Sequence, residues 1–264
     1  MHNNCVIRRN HVRLLGALLS LSTVVAPAAD DRFTMGAGVD YSSGTYGGTI
    51  ATNILYVPVY AKYETGRWLL KLTVPWLRIT GPGNVVVAGE TPIVVGPSPG
   101  LRTTVSGLGD VVGSVGYNLI DSSAQRFIFD VTAKVKFPTA DAAKGLGTGE
   151  YDYAIQSDAV KSIGNISLFG TLGYRWLGSP PGLALNDVWY ASAGFSAKLA
   201  KSLSGGLAYD FRQAATASSD PQKEVTAFVN SRITSNLRLQ LYVVGGLTDS
   251  SPDWGCGAIL SRQF

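Results

Sequence analysis

From Phe33 onward the sequence alternates between apolar and polar side chains at a period of two, the spacing that sends successive residues of an extended strand to opposite faces. The clearest case sets Phe127, Phe129, Val131, Ala133, Val135 and Phe137 against Ile128, Asp130, Thr132, Lys134 and Lys136. Comparable rows fall within 33–41, 55–63, 68–76, 111–119, 151–155, 166–176, 189–197, 207–211, 225–233, 237–243 and 254–264. About twelve strands are predicted, an even number as in single-chain bacterial barrels. No segment after residue 30 has a useful helical period or an apolar run long enough for a membrane-spanning helix. A strand rising ~3.3 Å per residue and tilted ~40° gains about 2.5 Å of height per residue, so about ten residues cross a ~25 Å apolar band, which is the length of these rows.

The connections alternate in length. Segments 64–67, 121–125, 161–165, 199–203 and 234–236 are short, whereas 80–106, 138–149, 177–186 and 214–222 are long and rich in Gly and Pro. Short periplasmic turns and long outer loops, with both termini on the periplasmic side, are the pattern of a transmembrane barrel. The segments 43–48 and 248–252 are shorter than that rule expects. The fold class predicted is therefore all-β, a transmembrane up-and-down antiparallel β-barrel.

Alternation alone does not say which face is outside, because a soluble barrel alternates too. The polar parity carries Asp40, Lys62, Lys71, Asp110, Asp130, Lys134, Lys136, Asp152, Asp158, Arg175, Asp210, Arg212, Glu224, Arg232 and Arg238, while the apolar rows hold one charge, Arg262, near a strand end. A face so free of charge suits lipid, where a midplane Arg or Lys costs about 2–4 kcal/mol. The polar parity is then predicted to line a lumen, its seven acids and eight bases forming a lattice of ion pairs. Large aromatics collect at the row ends, with Tyr41, Trp76, Phe137, Tyr151, Trp176, Trp189, Phe211 and Trp254 toward one rim and Phe33, Tyr63, Trp68, Tyr117, Phe127 and Phe264 toward the other, as two interfacial girdles require. Tyr56, Tyr60 and Tyr242 fall on the lumen parity, where stacking on an aromatic solute competes with plain space-filling, the favoured role.

Composition sharpens this picture. Only 15% of the 264 residues are charged, against roughly 25% in soluble globular chains. Residues 1–29 read as a cleaved secretory signal: Arg8, Arg9 and Arg13, a short apolar core, then Ala26-Pro27-Ala28. The barrel would occupy 30–264. Removal of the signal takes three of the 22 Lys and Arg and none of the 18 Asp and Glu, so the formal charge of +4 drops to about +1 and no nucleic-acid partner is implied. Export through the periplasm to a bacterial outer membrane follows, with membrane lipid, a small-molecule solute and, during biogenesis, the barrel assembly machinery as partners. The terminal Phe264 looks like the signal that machinery reads, with Arg262 departing from the usual apolar residue two places earlier.

Both histidines, His2 and His11, lie in the signal, so the mature chain lacks the base of a Ser-His-Asp relay and any histidine metal site; no cofactor is implied. Cys256 would remain alone. Asp210 with Glu224 is the surviving candidate for a histidine-free barrel hydrolase, although lumen carboxylates more often pair with Lys and Arg; the chain is not expected to be an enzyme. Gly145-Leu146-Gly147-Thr148-Gly149 resembles a phosphate-cradling loop but no helix follows it, and a flexible outer hairpin is expected.

Four segments in order carry a family resemblance: Val57-Pro58-Val59-Tyr60-Ala61-Lys62-Tyr63 leading into Leu72-Thr73-Val74-Pro75-Trp76; Leu108-Gly109-Asp110-Val111 with Gly116-Tyr117; Lys136-Phe137-Pro138-Thr139 with the glycine-rich 145–149; and Gly170-Thr171-Leu172-Gly173-Tyr174. Together they resemble the outer-membrane transporter family of the meta-pathway of phenol degradation. That resemblance implies uptake of aromatic or other hydrophobic compounds and assigns no residues. The expected function is a narrow channel or uptake barrel for small solutes, guided by segment 80–106, whose Val85-Val86-Val87 and Pro92-Ile93-Val94-Val95 are oily for an outer loop. That segment either extends the wall as a hairpin or dips inward as a constriction. The alternative is a structural or surface-interaction barrel whose lumen is closed by side chains.

Overall fold

The computed structural model describes residues 31–88, 91–94 and 101–264. The signal read at 1–29 and part of segment 80–106 lie outside the described residues. Among the described residues, fifteen strands form: β1 Arg32–Gly44, β2 Thr52–Thr65, β3 Trp68–Gly81, β4 Val85–Ala88, β5 Thr91–Val94, β6 Thr103–Leu108, β7 Val111–Ser122, β8 Phe127–Phe137, β9 Asp152–Ile163, β10 Ile166–Trp176, β11 Val188–Lys198, β12 Leu203–Arg212, β13 Gln222–Arg232, β14 Leu237–Gly246 and β15 Trp254–Gln263. Each wall strand pairs antiparallel with its sequence neighbours, and β1 pairs with both β2 and β15, which closes the barrel. Closure reaches the last residue, whose amide donates to the carbonyl of Phe33 at 2.8 Å.

β6 and β7 are one wall broken by a bulge. Both pair with β3, β6 along Trp76 to Gly81 and β7 along Trp68 to Thr73, so the five residues from Leu108 to Val112 oppose four on β3, Thr73 to Trp76. Counted this way the barrel has twelve walls. The bulge sits where Pro75 offers no amide; the Gly109 amide still reaches the Pro75 carbonyl at 2.9 Å. A second irregularity between Asn118 and Ile120 turns Leu119 and Ile120 both outward, which the alternating row at 111–119 did not anticipate.

At one end, here the turn end, the connections are tight. Gly66 and Gly164 hold φ of 53° and 59° in two-residue hairpins, the left-handed region that such turns require and side-chain-bearing residues avoid. The opposite, loop end carries the long connections. The outward parity is oily and exposed, with Trp68, Leu72, Val115, Leu172, Leu241 and Val243 all more than 40% accessible, whereas Asp130 and Lys134 are 7% and 8% accessible on the inside. Aromatic pairs mark both rims: Phe33 with Phe264 and Trp68 with Tyr117 at the turn end, Tyr41 with Trp254 and Tyr174 with Trp176 and Trp189 at the loop end. Arg262 faces outward and lays its guanidinium 5.2 Å from the Phe264 ring, an exposed charge carried on an apolar stem at the rim.

Candidate functional site

The lumen parity read from the sequence is the interior of the barrel. Lys62, Lys71, Asp110, Asp130, Lys134, Lys136, Asp152, Asp158, Arg175, Asp210 and Arg212 are buried there with Tyr56, Tyr60 and Tyr242, while Glu224, Arg232 and Arg238 are half-buried. The structure brings these groups together in different ways at different heights.

Near the loop end Lys136 is a hub. Its Nζ lies 2.9 Å from Asp110 and 3.1 Å from Asp152 and donates to the Thr148 hydroxyl at 3.1 Å. Asp110, projected inward by the bulge, also accepts the Ala140 amide at 2.9 Å, and Asp152 accepts the Gly178 amide at 2.9 Å. One ammonium thus ties two wall strands to two loops. The glycine-rich 145–149 segment is drawn inward by this knot, with Leu146 1% accessible. Its Gly147 has no room for a side chain, since a Cβ would meet the Asp110 carboxylate at 2.6 Å. The outer hairpin expected here is instead a packed inward turn, because the glycines allow the backbone to approach the Lys136 ion pairs.

The hairpin of β4 and β5 lies across the mouth. Cross-strand pairs share a face, and the register places Val85 with Val94 and Val87 on one face, Val86 with Ile93 and Ala88 on the other. Val87 and Val94 pack with Tyr46, Ile54, Tyr56, Leu77 and Leu146 on the β2–β3 side. Ala88 and Ile93 pack with Leu177, Val188 and Ala215 on the β10–β11 side. Both faces of the hairpin are therefore buried against opposite parts of the barrel, which is why Val85-Val86-Val87 shows no alternation. The Val87 amide also donates to the Gly145 carbonyl at 3.3 Å. Beside the hairpin runs a small cleft, partly open to solvent and lined by Pro92, Ile93, Arg175, Val188, Arg212 and Gln222 among others.

Lower in the lumen the wall divides in two. Along β10 to β15 and β1 to β2, five large rings lie directly opposite a glycine of the next strand: Tyr60 over Gly36, Tyr242 over Gly257, Phe228 over Gly206, Phe169 over Gly194 and Tyr190 over Gly173. Rings that fill a glycine's space lie along the wall instead of crossing the lumen. Tyr60, Phe228, Tyr242 and Ile259 form one cluster with Phe169 packed against it. The β7 to β9 side is polar: Asn118 donates to Asp130 at 2.7 Å, and Gln156 and Thr171 donate to Asp158 at 2.8 and 2.6 Å. Lys71 stands 4.7 Å over the Tyr60 ring, and the Tyr242 hydroxyl donates to Asp40 at 2.7 Å. Space-filling and polar contact are therefore combined in these tyrosines.

Several like charges sit directly opposite one another on adjacent strands: Lys62 with Lys71, Asp130 with Asp158, Asp210 with Glu224 and Arg232 with Arg238. Sequence reasoning found these residues but not their pairings, which depend on register. It missed Gln156, Gln222 and Thr148, uncharged groups that complete the polar network. Among the described residues, no cluster of His, Cys, Asp and Glu suits a metal ion.

No family model matches the chain, and no curated protein matches it. Solved structures share its fold. The crystal structure of the COG4313 outer membrane channel from Pseudomonas putida F1 is 15% identical, with a TM-score of 0.70 over 93% of this chain and 100% of that one. The β domain of the Bordetella autotransporter BrkA is 11% identical, with a TM-score of 0.51 over 89% of this chain and 100% of that one. The chain is a closed antiparallel β-barrel of twelve walls with the architecture of outer-membrane barrels.

Proposed function

We propose that the protein is a bacterial outer-membrane channel for uptake of small solutes, closed at its loop end by the β4–β5 hairpin and exported to that membrane by the signal at 1–29. The observation that carries the reading is the partition of the wall, oily and exposed outside, charged and buried inside. Hydrocarbon accepts the first face and water or polar solutes the second. The loop end then faces the exterior and the turn end the periplasm, the usual sense of such barrels. The COG4313 channel, whose fold this chain shares, supports a pore. The ordered motifs that resemble the phenol meta-pathway transporters, together with the rings of Tyr60, Phe228 and Tyr242, support aromatic or hydrophobic solutes, and a binding role without catalysis. The barrel assembly machinery would insert it.

The hairpin is the test. Purified protein in planar bilayers is expected to show discrete conductance steps, and deletion of 85–94 with a short linker is expected to enlarge them. Silence of both proteins across ions and voltages would reject the channel. One observation favours a second reading, a structural barrel with a sealed lumen: the hairpin is buried on both faces. That reading is selected if only the deletion variant conducts.

A further inference from the structure

We infer that the turn end of the lumen is an anion-collecting mouth, which makes the channel prefer small anionic solutes to cations; the inference rests on the channel reading above. Arg32, Lys62, Arg232 and Arg238 lie together on neighbouring strands at this end. Arg232 faces Arg238 across β13 and β14, Arg238 faces Ser261 on β15, Ser261 faces Gly36 on β1, and β1 brings Arg32 and Thr34 beside Glu64 and Lys62 on β2. Glu64 is held by Lys62 at 3.0 Å. Among the described residues, Arg32, Arg232 and Arg238 make no ion pair with any carboxylate. Arg238 nevertheless lies within electrostatic range of Arg232, Arg32 and Glu64 together.

The other charges facing this opening do not cancel the excess. Asp121 lies on the lumen parity across the barrel, opposite Ile128, and Lys198 ends β11 on the same inward parity. Five bases thus meet two acids, Glu64 and Asp121. The surrounding turns and chain ends add Arg67, Arg126 and Lys201 against Asp31 and the terminal carboxylate of Phe264. Higher up, the seven acids Asp40, Asp110, Asp130, Asp152, Asp158, Asp210 and Glu224 outnumber the five bases Lys71, Lys134, Lys136, Arg175 and Arg212, so the positive excess is confined to the turn end. Rings of Arg and Lys at a pore mouth favour anions by stabilising them where hydration is partly lost. Like charges directly opposed across two strands weaken a sheet. The Arg232–Arg238 pair is consistent with a positive field maintained at that cost.

The test is the reversal potential of the full-length protein in a planar bilayer across a KCl gradient, at about 0.01 to 0.1 M, where screening lengths are ~30 to ~10 Å. The expected sign is that of chloride permeation, with the preference shrinking toward 1 M salt as the screening length falls to ~3 Å. In the triple variant R32Q/R232Q/R238Q, Lys62 and Lys198 remain against Glu64 and Asp121, and the chloride-to-potassium permeability ratio is expected to fall to about 1. The variant D210N/E224Q, altered in the loop half, is expected to keep the anion preference. A wild-type ratio at or below 1 (roughly, by the same criterion), a preference unchanged by salt, or a triple variant that keeps the wild-type ratio would each overturn the inference while leaving the channel intact. A silent wild-type protein would instead reject the channel itself. Should the triple variant fail to insert, the salt dependence of the wild type decides alone.

Discussion

The two ends of the barrel handle charge in opposite ways. At the loop end, charges are buried and compensated: Lys136 lies between Asp110 and Asp152 and recruits Thr148, while the apolar β4–β5 hairpin covers the mouth. At the turn end, Arg232 and Arg238 oppose one another at half-exposure with no carboxylate in ion-pair distance among the described residues. A buried charge is stable only with its partners, whereas a charge near water can be left uncompensated and still project a field. The difference teaches that charge count alone does not separate a structural residue from one that acts on a solute; the number of fixed partners does.

The comparison breaks most easily at Lys136. Replacement by Met leaves Asp110 and Asp152 buried without their shared cation, and such a loss costs about 3–5 kcal/mol. The expected outcome is a lower urea midpoint for the refolded barrel and a released 138–149 segment, read by increased proteolysis there. A midpoint equal to wild type would mean that the loop end is not held by this knot. The same change of charge at the turn end has the opposite sign. Arg238→Gln removes the repulsion from Arg232, so the midpoint is expected to stay level or rise by about 0.2–1 kcal/mol in stability. A loss comparable to that of Lys136→Met would show hidden partners for Arg238 and end the distinction between the two rims.

The sequence made one half of this contrast visible. Alternation placed Asp130 and Lys134 on the interior and Phe129 and Val131 outside, because a one-residue slip would put every charge into lipid. The bulge at Gly109 and Asp110 left no periodic trace, since one extra residue in a Gly-rich stretch looks like the start of a strand. The hairpin did leave one: three consecutive valines at 85–87 are apolar on both parities, as a strand buried on both faces must be. The pairing of rings with glycines, such as Tyr242 over Gly257, and the facing of Arg232 with Arg238 were out of reach, because each depends on the offset between two strands and a strand's own pattern does not contain that offset.

The smallest expected effect lies at the outermost carboxylates, one on each rim. The Tyr63 hydroxyl, donating at 2.6 Å, holds Asp31 below its ordinary value of 3.8 at the turn end. Lys144 does the same for Asp141 at the loop end, at 3.0 Å. Both folded-state values are depressed, so each contact stabilises the fold fully above the ordinary carboxylate value and loses its effect as pH falls through the lowered one. Both groups are fully solvated, and water and salt screen what they contribute. Asp31→Asn and Asp141→Asn are therefore expected to lower the thermal midpoint slightly and equally at neutral pH, and not at all in strong acid. A deficit that persists in acid would show that the amide disturbs packing, and a larger deficit at one rim would mean that the two ends differ even where water reaches both.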